Sequence, residues 1–543
     1  MGIVSQSGAL GYAVAQAAER GAGFSHFFSA GNSADIDVAD LVSYLADARE
    51  CRAIALILEG ISDAGRLLEA GERAWRGGKP VVVYKIAIGA AGAAAARSHT
   101  GSIAGLQAAN RALFERCGFV MVDDLEALFE FAQFFARAEA PQAAGVAVVS
   151  GSGGAGVMAA DMAERYGVPL PQPLPHTLAA LQKLVPEFGA ARNPCDPTGQ
   201  VLNNPDSFKD CCAALLEDDQ YGALVIPLGV ALAGAGAERV AQIRELAARY
   251  RKPLAVVWLS EWLQGPGAAD YEDELHATLF RSMDRCFAAI AAWQARARRK
   301  MGGVRARRAA PDAAARVQGL LQASRDALTE RESKQVLAAY GIPVLEDRAA
   351  SSADEAARVA REIGFPVALK IDSPRILHKT EAGGVRLGVA DEVALRRAFG
   401  EIIAAARQHA PAAELRGVLV QPMAPRGIEV IVGARVDPLV GPIVVVGLGG
   451  VLVELLGDAV TALAPLSSDA AHELIARLSG RKLLEGYRGA PAANLDALAD
   501  AVVRVSELIA DCATQVAEVD LNPLVCRPDG VLALDALVLK QPD

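Results

Sequence analysis

The sequence predicts an α/β chain in which two doubly wound parallel units precede an α+β unit. Three observations carry this. Up to residue 295, short apolar runs of strand length alternate with helical patterns. From about Leu328 onward, several strand patterns follow one another as hairpins instead. Hydrophobic residues make up 52% of the chain but aromatic residues only 5%, which favours layers packed through Ala and Gly over a disordered or disulfide-rich chain. At 543 residues, the chain also exceeds what a single core can serve.

In the first unit (residues 1–138), Gly2–Ser5, Ala53–Leu58 and Pro80–Lys85 are expected as buried strands. Ala9–Arg20, Val38–Ala46 and Leu106–Cys117 are expected as helices. The second unit (144–295) has strand candidates at Gly145–Ser150, Gly222–Leu228 and Pro253–Leu259, and ends in a helix near Ala295. A linker (296–325) follows, with seven basic residues between Arg296 and Arg308 around Gly302-Gly303. No aromatic residues are interleaved there, so a solvated connection is expected in preference to a nucleic-acid patch. The third unit (326–543) mixes helices at Glu330–Tyr340, Ala353–Ile363 and Glu392–Gln408 with strands. Those strands are Pro366–Ile371, Gly417–Gln421, Glu429–Gly433, Pro442–Val446, Val516–Leu521 and Val531–Leu534.

The bulk numbers exclude several functions. A formal net charge of −10, spread along the chain, gives no footprint for nucleic acid. The eight cysteines form no Cys-x-x-Cys pair, so they are expected as reduced structural thiols of a cytoplasmic protein. Gly2–Ser5 already has strand character, so no signal peptide is expected in this sequence. The most apolar run, Val440–Gly457, contains Pro442, four internal glycines and Glu454, and suits a buried strand and turn better than a membrane span.

Chemistry concentrates in a few segments. Only seven histidines occur, and two lie in loops of small residues: His99 in Ser98-His99-Thr100-Gly101-Ser102, and His378 in Leu377-His378-Lys379-Thr380-Glu381-Ala382-Gly383-Gly384. Imidazole is nucleophilic at neutral pH and can carry a phosphoryl group. The first two units open alike, with Ser5-Gln6-Ser7-Gly8 and Ser150-Gly151-Ser152-Gly153-Gly154 between a strand and a helix start. Free amides and the helix dipole make such turns anion sites, here Ser5, Ser7, Gly8, Ser152, Gly153 and Gly154, although tight strand–helix packing alone also selects glycine. In the third unit, Lys370 ends a strand before Gly383-Gly384, where it can hold triphosphate oxygens. Asp520 and Asn522 lie one hairpin from Asp535, and two carboxylates with an amide oxygen suit Mg²⁺.

Together, Leu328-Thr329-Glu330, Gly341-Ile342-Pro343-Val344, the Lys370 strand, Val420-Gln421-Pro422-Met423 and Asp520-Leu521-Asn522-Pro523-Leu524 resemble the ATP-grasp fold. The resemblance implies that the main chain at Gln421–Met423 hinges over adenine. It also implies that Glu429 is an acidic nucleotide- or metal-site residue, with Asp520, Asn522 and Asp535 as the Mg²⁺ set. Lys370 to Val385 closely resembles the nucleotide-diphosphate-forming acyl-CoA synthetases, the family of ADP-forming acetate–CoA ligase and a relative of succinyl-CoA synthetase. Ser5–Ala9, Gly31-Asn32, Leu58-Glu59-Gly60-Ile61 and Ser98–Ser102 resemble a CoA-ligase domain of the same family, and 145–295 its companion. The implied architecture is two flavodoxin-like, succinyl-CoA-synthetase-type domains followed by an ATP-grasp domain.

The implied activity is an acid–CoA ligase: acid, CoA and ATP interconvert with acyl-CoA, ADP and phosphate. His378 accepts phosphate from the nucleotide, His99 is the central phosphorylated residue, and Glu59 orients it. Asn193-Pro194-Cys195-Asp196-Pro197-Thr198-Gly199 resembles a loop near the acyl site, with Cys195 expected as a packed thiol rather than a reactive one. Fused family members carry a CoA-binding domain ahead of the Ser5-Gln6-Ser7-Gly8 segment, whereas Met1 stands at that strand's edge. A separate CoA-binding subunit in a homo- or hetero-oligomer, an upstream start, or a repurposed relative would each account for this. The alternatives are a kinase forming acyl phosphate or a phosphohistidine ATPase, both without a CoA step, and a non-catalytic sensor of CoA or nucleotide.

Overall fold

The computed structural model describes residues 1–89, 107–202, 204–231, 235–299, 306–323, 328–376, 378–449 and 458–542. His99 and its loop lie outside the described residues. The chain divides into two compact units, from here on the first unit, which holds both parallel sheets, and the second unit, which holds the antiparallel sheets of the C-terminal part.

The first unit opens with a parallel sheet of β1 (Gly2–Ser5), β2 (His26–Ser29), β3 (Ile54–Leu58), β4 (Val81–Lys85) and β5 (Val120–Val122). The spatial order β2-β1-β3-β4-β5 is that of flavodoxin, with its switch point between β1 and β3. All residues of β1 and β3 are buried, as expected for strands covered on both faces. The segment Ala9–Arg20 is not one helix. An α-helix, Gly8–Ala15, tightens into a 3₁₀ turn, Gln16–Arg20, which Gly21 ends at φ 85°.

A second parallel sheet follows, of β6 (Gly145–Val148), β7 (Tyr221–Leu228), β8 (Leu254–Trp258) and β9 (Ala277–Phe280), in that spatial order. The free edge of β6 is covered by the loop at Cys195. The Cys195 N–H donates to the Val148 carbonyl (2.8 Å) and the Ser150 N–H donates to the Cys195 carbonyl (3.0 Å). The Asn193 side chain completes the edge, accepting from the Val148 N–H (2.9 Å) and donating to the Val146 carbonyl (2.8 Å). This loop occupies the place of a strand beside β6, so the second sheet also has a switch point, between β6 and β7.

One core serves both sheets. Ile3, Ile57 and Val82 of the first and Val148, Val225 and Val257 of the second pack with Phe134, Ile290 and Trp293. These last three come from the helices Leu125–Arg137 and Met283–Arg298. Glu130, buried on the first of these helices, accepts from Arg285 on the other (2.6 and 3.0 Å) and from the Arg281 N–H (2.9 Å). Burial raises the Glu130 carboxyl pKa above its ordinary range, against the pull of Arg285.

Of the described basic residues of the stretch, Arg298, Arg299, Arg307 and Arg308 are exposed and Arg296 is half-buried. The helix Met283–Arg298 continues past residue 295, and Arg296 stacks on Trp75 (4.0 Å) while donating to the Gly118 carbonyl (3.2 Å). In the second unit, Arg307 pairs with Asp511 (2.5 Å), and the Arg308 and Ala309 N–H groups donate to Glu507 (3.0 and 2.8 Å). The planar guanidinium can stack and bond at once, so these arginines anchor the segment's ends.

The second unit holds two antiparallel sheets. One comprises β10 (Arg348–Ala350), β11 (Val367–Asp372), β12 (Val385–Val389) and β13 (Gly417–Pro422), in the order β10-β13-β11-β12. The helices Ala353–Ile363 and Glu392–His409 cover one face of it. The other comprises β14 (Ile428–Asp437), β15 (Gly441–Leu448), β16 (Ala459–Leu463), β17 (Val516–Arg527), β18 (Gly530–Ala533) and β19 (Leu537–Lys540). Its order is β16-β15-β14-β17, with β18 and β19 sharing the far edge of β17. The strand expected at Val516–Leu521 runs on to Arg527, because a bulge sets Asn522 and Pro523 opposite the single residue Ile431. The apolar run from Val440 forms β15, and residues 450–457 of it lie outside the described residues. Among the described residues no helix is long and apolar enough to cross a membrane.

The Glu130–Arg285 pair predicts that Glu130→Ala, which strands a half-buried guanidinium, destabilises the first unit by roughly 3–5 kcal/mol. Denaturant unfolding of the variant beside Glu130→Gln, which keeps part of the hydrogen bonding and should cost less, checks this.

Candidate functional site

In the second unit a cleft of about 240 Å³ is lined by residues from three parts of the fold. Glu330 starts the helix Glu330–Ala339, His378 and Lys379 come from the loop after β11, and Asp520, Asn522 and Asp535 come from β17 and the turn after β18.

Glu330 is placed by a capping box: Thr329 Oγ1 accepts from the Glu332 N–H while Glu332 accepts from the Thr329 N–H. A carboxylate in the first turn suits the helix dipole. Lys370 and Gln421 reach it because strand side chains alternate. Leu369 and Val420 enter the core under the two helices, which turns Lys370 and Gln421 to the opposite face. Glu330 Oε1 accepts from Lys370 Nζ (2.8 Å) and Gln421 Nε2 (2.8 Å). Lys334 and Lys379 also lie within ion-pair distance of Glu330, at 2.9 and 3.1 Å. Burial alone would raise the Glu330 carboxyl pKa, but Lys370, Lys379 and Lys334 outweigh it and hold the group well below the usual carboxylate range.

Asp535 takes the remaining lysine hydrogen bonds. Lys370 Nζ donates to the Leu534 carbonyl (3.0 Å) and to Asp535 Oδ2 (3.1 Å), and Lys379 Nζ to Asp535 Oδ1 (3.4 Å). All three Lys370 protons therefore have protein acceptors. Burial, with the negative charges of Glu518 and Asp535, pushes the Asp520 carboxyl up to about 6. Asn522, two residues on, lines the cleft beside it. A hard cation fits two carboxylates and an amide oxygen, and would relieve the charge repulsion at Asp520.

His378 is exposed at the cleft. Its loop closes on itself: the Gly384 N–H donates to the Lys379 carbonyl (2.7 Å), and the Ile371 N–H donates to the Gly384 carbonyl (2.8 Å). Gly383 sits at φ 64°, and a Cβ on Gly384 would lie 2.6 Å from Ile371 Cγ2. The two glycines therefore let the histidine loop fold directly onto β11.

Not every expected residue meets the cleft. Lys370 and Gln421 bond Glu330 with their side chains but are not themselves in the lining, and neither Met423 nor Glu429 belongs to it. Met423 Sδ accepts from the Gly388 N–H (3.2 Å), and Glu429 is exposed on β14. Glu330 and Lys379 carry more of the electrostatics than their sequence positions suggest. The Thr329-x-x-Glu332 capping signature and the adjacency of Lys379 to His378 are the signals that point to them.

In the first unit, the Ser/Gly turns stand at the two switch points. Ser5 is fully buried and its Oγ donates to the Ser7 carbonyl (2.6 Å), so this hydroxyl shapes the turn instead of facing an anion. A Cβ on Gly11 would lie 2.7 Å from Ser5 Cβ, which explains the glycine in the first helical turn. Ser7 caps nothing with its side chain, and Gly8 is exposed. Gln6 Oε1 accepts from the Glu59 and Gly60 N–H groups (2.6 and 2.9 Å), tying the turn after β1 to Glu59 after β3. Lys85 Nζ donates to the Glu59 and Ile86 carbonyls (2.6 and 2.5 Å), and burial lowers its pKa to about 8. At the other switch point, Ser152 Oγ accepts from the Ala155 N–H (3.4 Å), and Gly153 and Gly154 are exposed. Cys195 is buried, and its bonding to Cys211 together with burial raises its pKa far above that of an ordinary thiol, as for a packed structural residue.

Two flavodoxin-type sheets followed by paired antiparallel sheets around an acid–lysine cleft define a ligase that couples nucleotide cleavage to bond formation at a carboxylate. Family models for a succinyl-CoA ligase like flavodoxin domain, a Ligase-CoA domain and an ATP-grasp domain match residues 1–135, 146–249 and 319–539. The chain is 34% identical to an ADP-forming acetate–CoA ligase of Archaeoglobus fulgidus, over 98% of this chain and 76% of that one. It is 32% identical to a trans-feruloyl-CoA synthase of an unknown prokaryotic organism, over 99% and 76%. It is 42% identical to the beta subunit of an ADP-forming acetate–CoA ligase of Pyrococcus furiosus, over 39% of this chain and 91% of that subunit. The chain belongs to the NDP-forming acyl-CoA synthetases, and is an enzyme of the acid–thiol ligase class.

The raised Asp520 carboxyl has a pH signature. A folded-state pKa of about 6, above the ordinary 3.8, means that the folded protein holds this proton more tightly than the unfolded chain. The folded protein therefore loses stability as pH rises from about 4 through about 6. Asp520→Asn removes that loss. Its stability relative to the parent chain should rise by roughly 1–3 kcal/mol between about pH 4 and about pH 7 in urea melts without divalent cations.

Proposed function

We propose that this enzyme interconverts a carboxylic acid, CoA and ATP with acyl-CoA, ADP and phosphate through two phosphohistidines. The observation that carries this is an exposed imidazole, His378, on the same cleft as Asp520, Asn522, Asp535 and Lys379. A His378 ring nitrogen attacks the γ-phosphorus of ATP and ADP leaves. The phosphoryl group passes to His99, and from there to a carboxylate oxygen of the acid, which gives an acyl phosphate. The CoA sulfur, having lost its proton to solvent, attacks the acyl carbon and expels inorganic phosphate.

Lys370 and Lys379 neutralise the polyphosphate, with the main chain at Gln421–Met423 against the base and Glu429 near the nucleotide. Asp520, Asn522 and Asp535 would hold Mg²⁺, which when bound shields phosphate charge. Glu59 fixes the His99 tautomer, and its position is supported by the hydrogen bonds of Gln6 and Lys85 to its main chain. The amides of the Ser5–Gly8 and Ser152–Gly154 turns receive the phosphoryl group at helix N-termini. The reading includes a cytoplasmic enzyme in an oligomer that takes CoA as a substrate.

Labelling with γ-³²P-ATP tests the relay. His378→Ala should abolish label at His99, whereas His99→Ala should leave label at His378 and remove acid- and CoA-dependent turnover. Equal labelling of His99→Ala and the parent chain at a single site, with turnover retained, would show that no relay operates.

A further inference from the structure

The first unit contains a second cavity, of about 320 Å³, at the C-terminal ends of β6, β7 and β8. It lies at the switch point between β6 and β7, where open α/β sheets bind ligands. The Ser152 turn forms part of its lining, so the N-terminus of the 14-residue helix Gly153–Tyr166 is at hand. Most of the remaining wall is apolar, with Val201, Phe208, Trp258 and Tyr271. The Trp258 indole N–H is already spent on the Trp262 carbonyl (3.3 Å), so the ring offers the cavity only hydrocarbon.

One charged residue lines this wall. Arg239, on the helix Ala235–Tyr250, is only 9% exposed, and its guanidinium stacks 3.7 Å from the Phe208 ring centroid. Its Nη1 has no hydrogen-bond partner, and it makes no ion pair among the described residues. Burial lowers its pKa, so the folded protein bears a cost for keeping this cation. An unpaired guanidinium beside an apolar cavity is complementary to an anion carried on an apolar body, because Arg donates in the plane a carboxylate can accept.

We propose that this cavity binds the acid substrate, that Arg239 receives its carboxylate beside the Ser152 turn, and that the acid carries a planar apolar body. The inference rests on the ligase reading above and names its substrate class. A volume of about 320 Å³ is within the range of about 300–1,000 Å³ seen for pockets that enclose whole organic ligands. A two-carbon acid would leave most of the aromatic wall in contact with water, which apolar burial disfavours. Arg239 is thus a binding and specificity residue and takes no part in phosphate transfer.

Calorimetric titration of the intact protein with phenylacetate, acetate and phenylacetamide provides the test. Phenylacetate should bind at least about ten-fold tighter than acetate, which lacks the ring, and than phenylacetamide, which lacks the charge; a tenfold step corresponds to about 1.4 kcal/mol. Arg239→Gln should remove most of the preference for acid over amide, and Arg239→Lys should restore part of it. The comparison of ligands on the unaltered chain stands even if the variants fold poorly. Acetate or phenylacetamide binding as tightly as phenylacetate would overturn the proposal. Histidine labelling by ATP separates this from the ligase reading. Label without the ligand preference sinks the cavity assignment alone, and the preference without label sinks the relay while the carboxylate site stands.

Discussion

The buried carboxylate of Glu330 organises the second unit's chemistry. It accepts hydrogen bonds from Lys370 and Gln421 and pairs with Lys334 and Lys379. Among the described residues it is the one carboxylate that all three lysines share, since Lys334 otherwise pairs with Asp347, and Lys370 and Lys379 with Asp535. The shared carboxylate fixes the three ammonium groups side by side, as a site for a highly charged phosphate chain requires. The constraint runs back to local structure: a capping box starts a helix so that its first turn meets the polar face of β11 and β13.

The first unit approaches an anion site mainly through its backbone. Both parallel sheets put a Ser/Gly turn at a switch point, and in both the side chains beside the turn are consumed by the backbone. Ser5 closes on Ser7, Gln6 holds the Glu59 loop, and Asn193 stands in for a strand beside β6. What remains outward-facing is mainly main-chain N–H and glycine. A phosphoryl group or carboxylate then meets dipoles already oriented, with little reorganisation left to make when it arrives.

Strands buried on both faces were legible in sequence because they are continuous apolar runs: β1, β3, β4, β7 and β8 agree with expectation to within a residue or two at each end. The short strands β2 and β5 were not, since three or four residues with mixed burial carry too little pattern, and β9, though fully buried, is only four residues long. Pro523 hid the second half of β17, because a proline ordinarily ends a central strand and the bulge that tolerates it depends on Ile431, far away in the chain. The same non-locality hid Glu330. Its partner Lys370 is 40 residues distant, and Lys370 in turn meets Asp535 across 165. Histidines in glycine-rich loops and the Asp520/Asn522/Asp535 set could be noticed because each is a dense local cluster of chemistry. The electrostatic frame behind them is assembled from single residues on separate elements.

Lys370 marks where this frame must change on binding. Its three protons already have acceptors in Glu330, the Leu534 carbonyl and Asp535. On the proposed reading Asp535 also belongs to the cation site, so the same carboxylate serves lysine in one state and metal in the other. The exchange conserves charge: a nucleotide brings phosphate oxygens to Lys370 as its cation takes Asp535, and neither lysine nor carboxylate is left unpaired in the low-dielectric cleft. A cation without phosphate would leave Lys370 with Glu330 as its one carboxylate partner, and phosphate without a cation would crowd Asp520 and Asp535. The arrangement therefore favours taking up nucleotide and cation together, a consequence of one shared carboxylate rather than of any movement between parts of the fold.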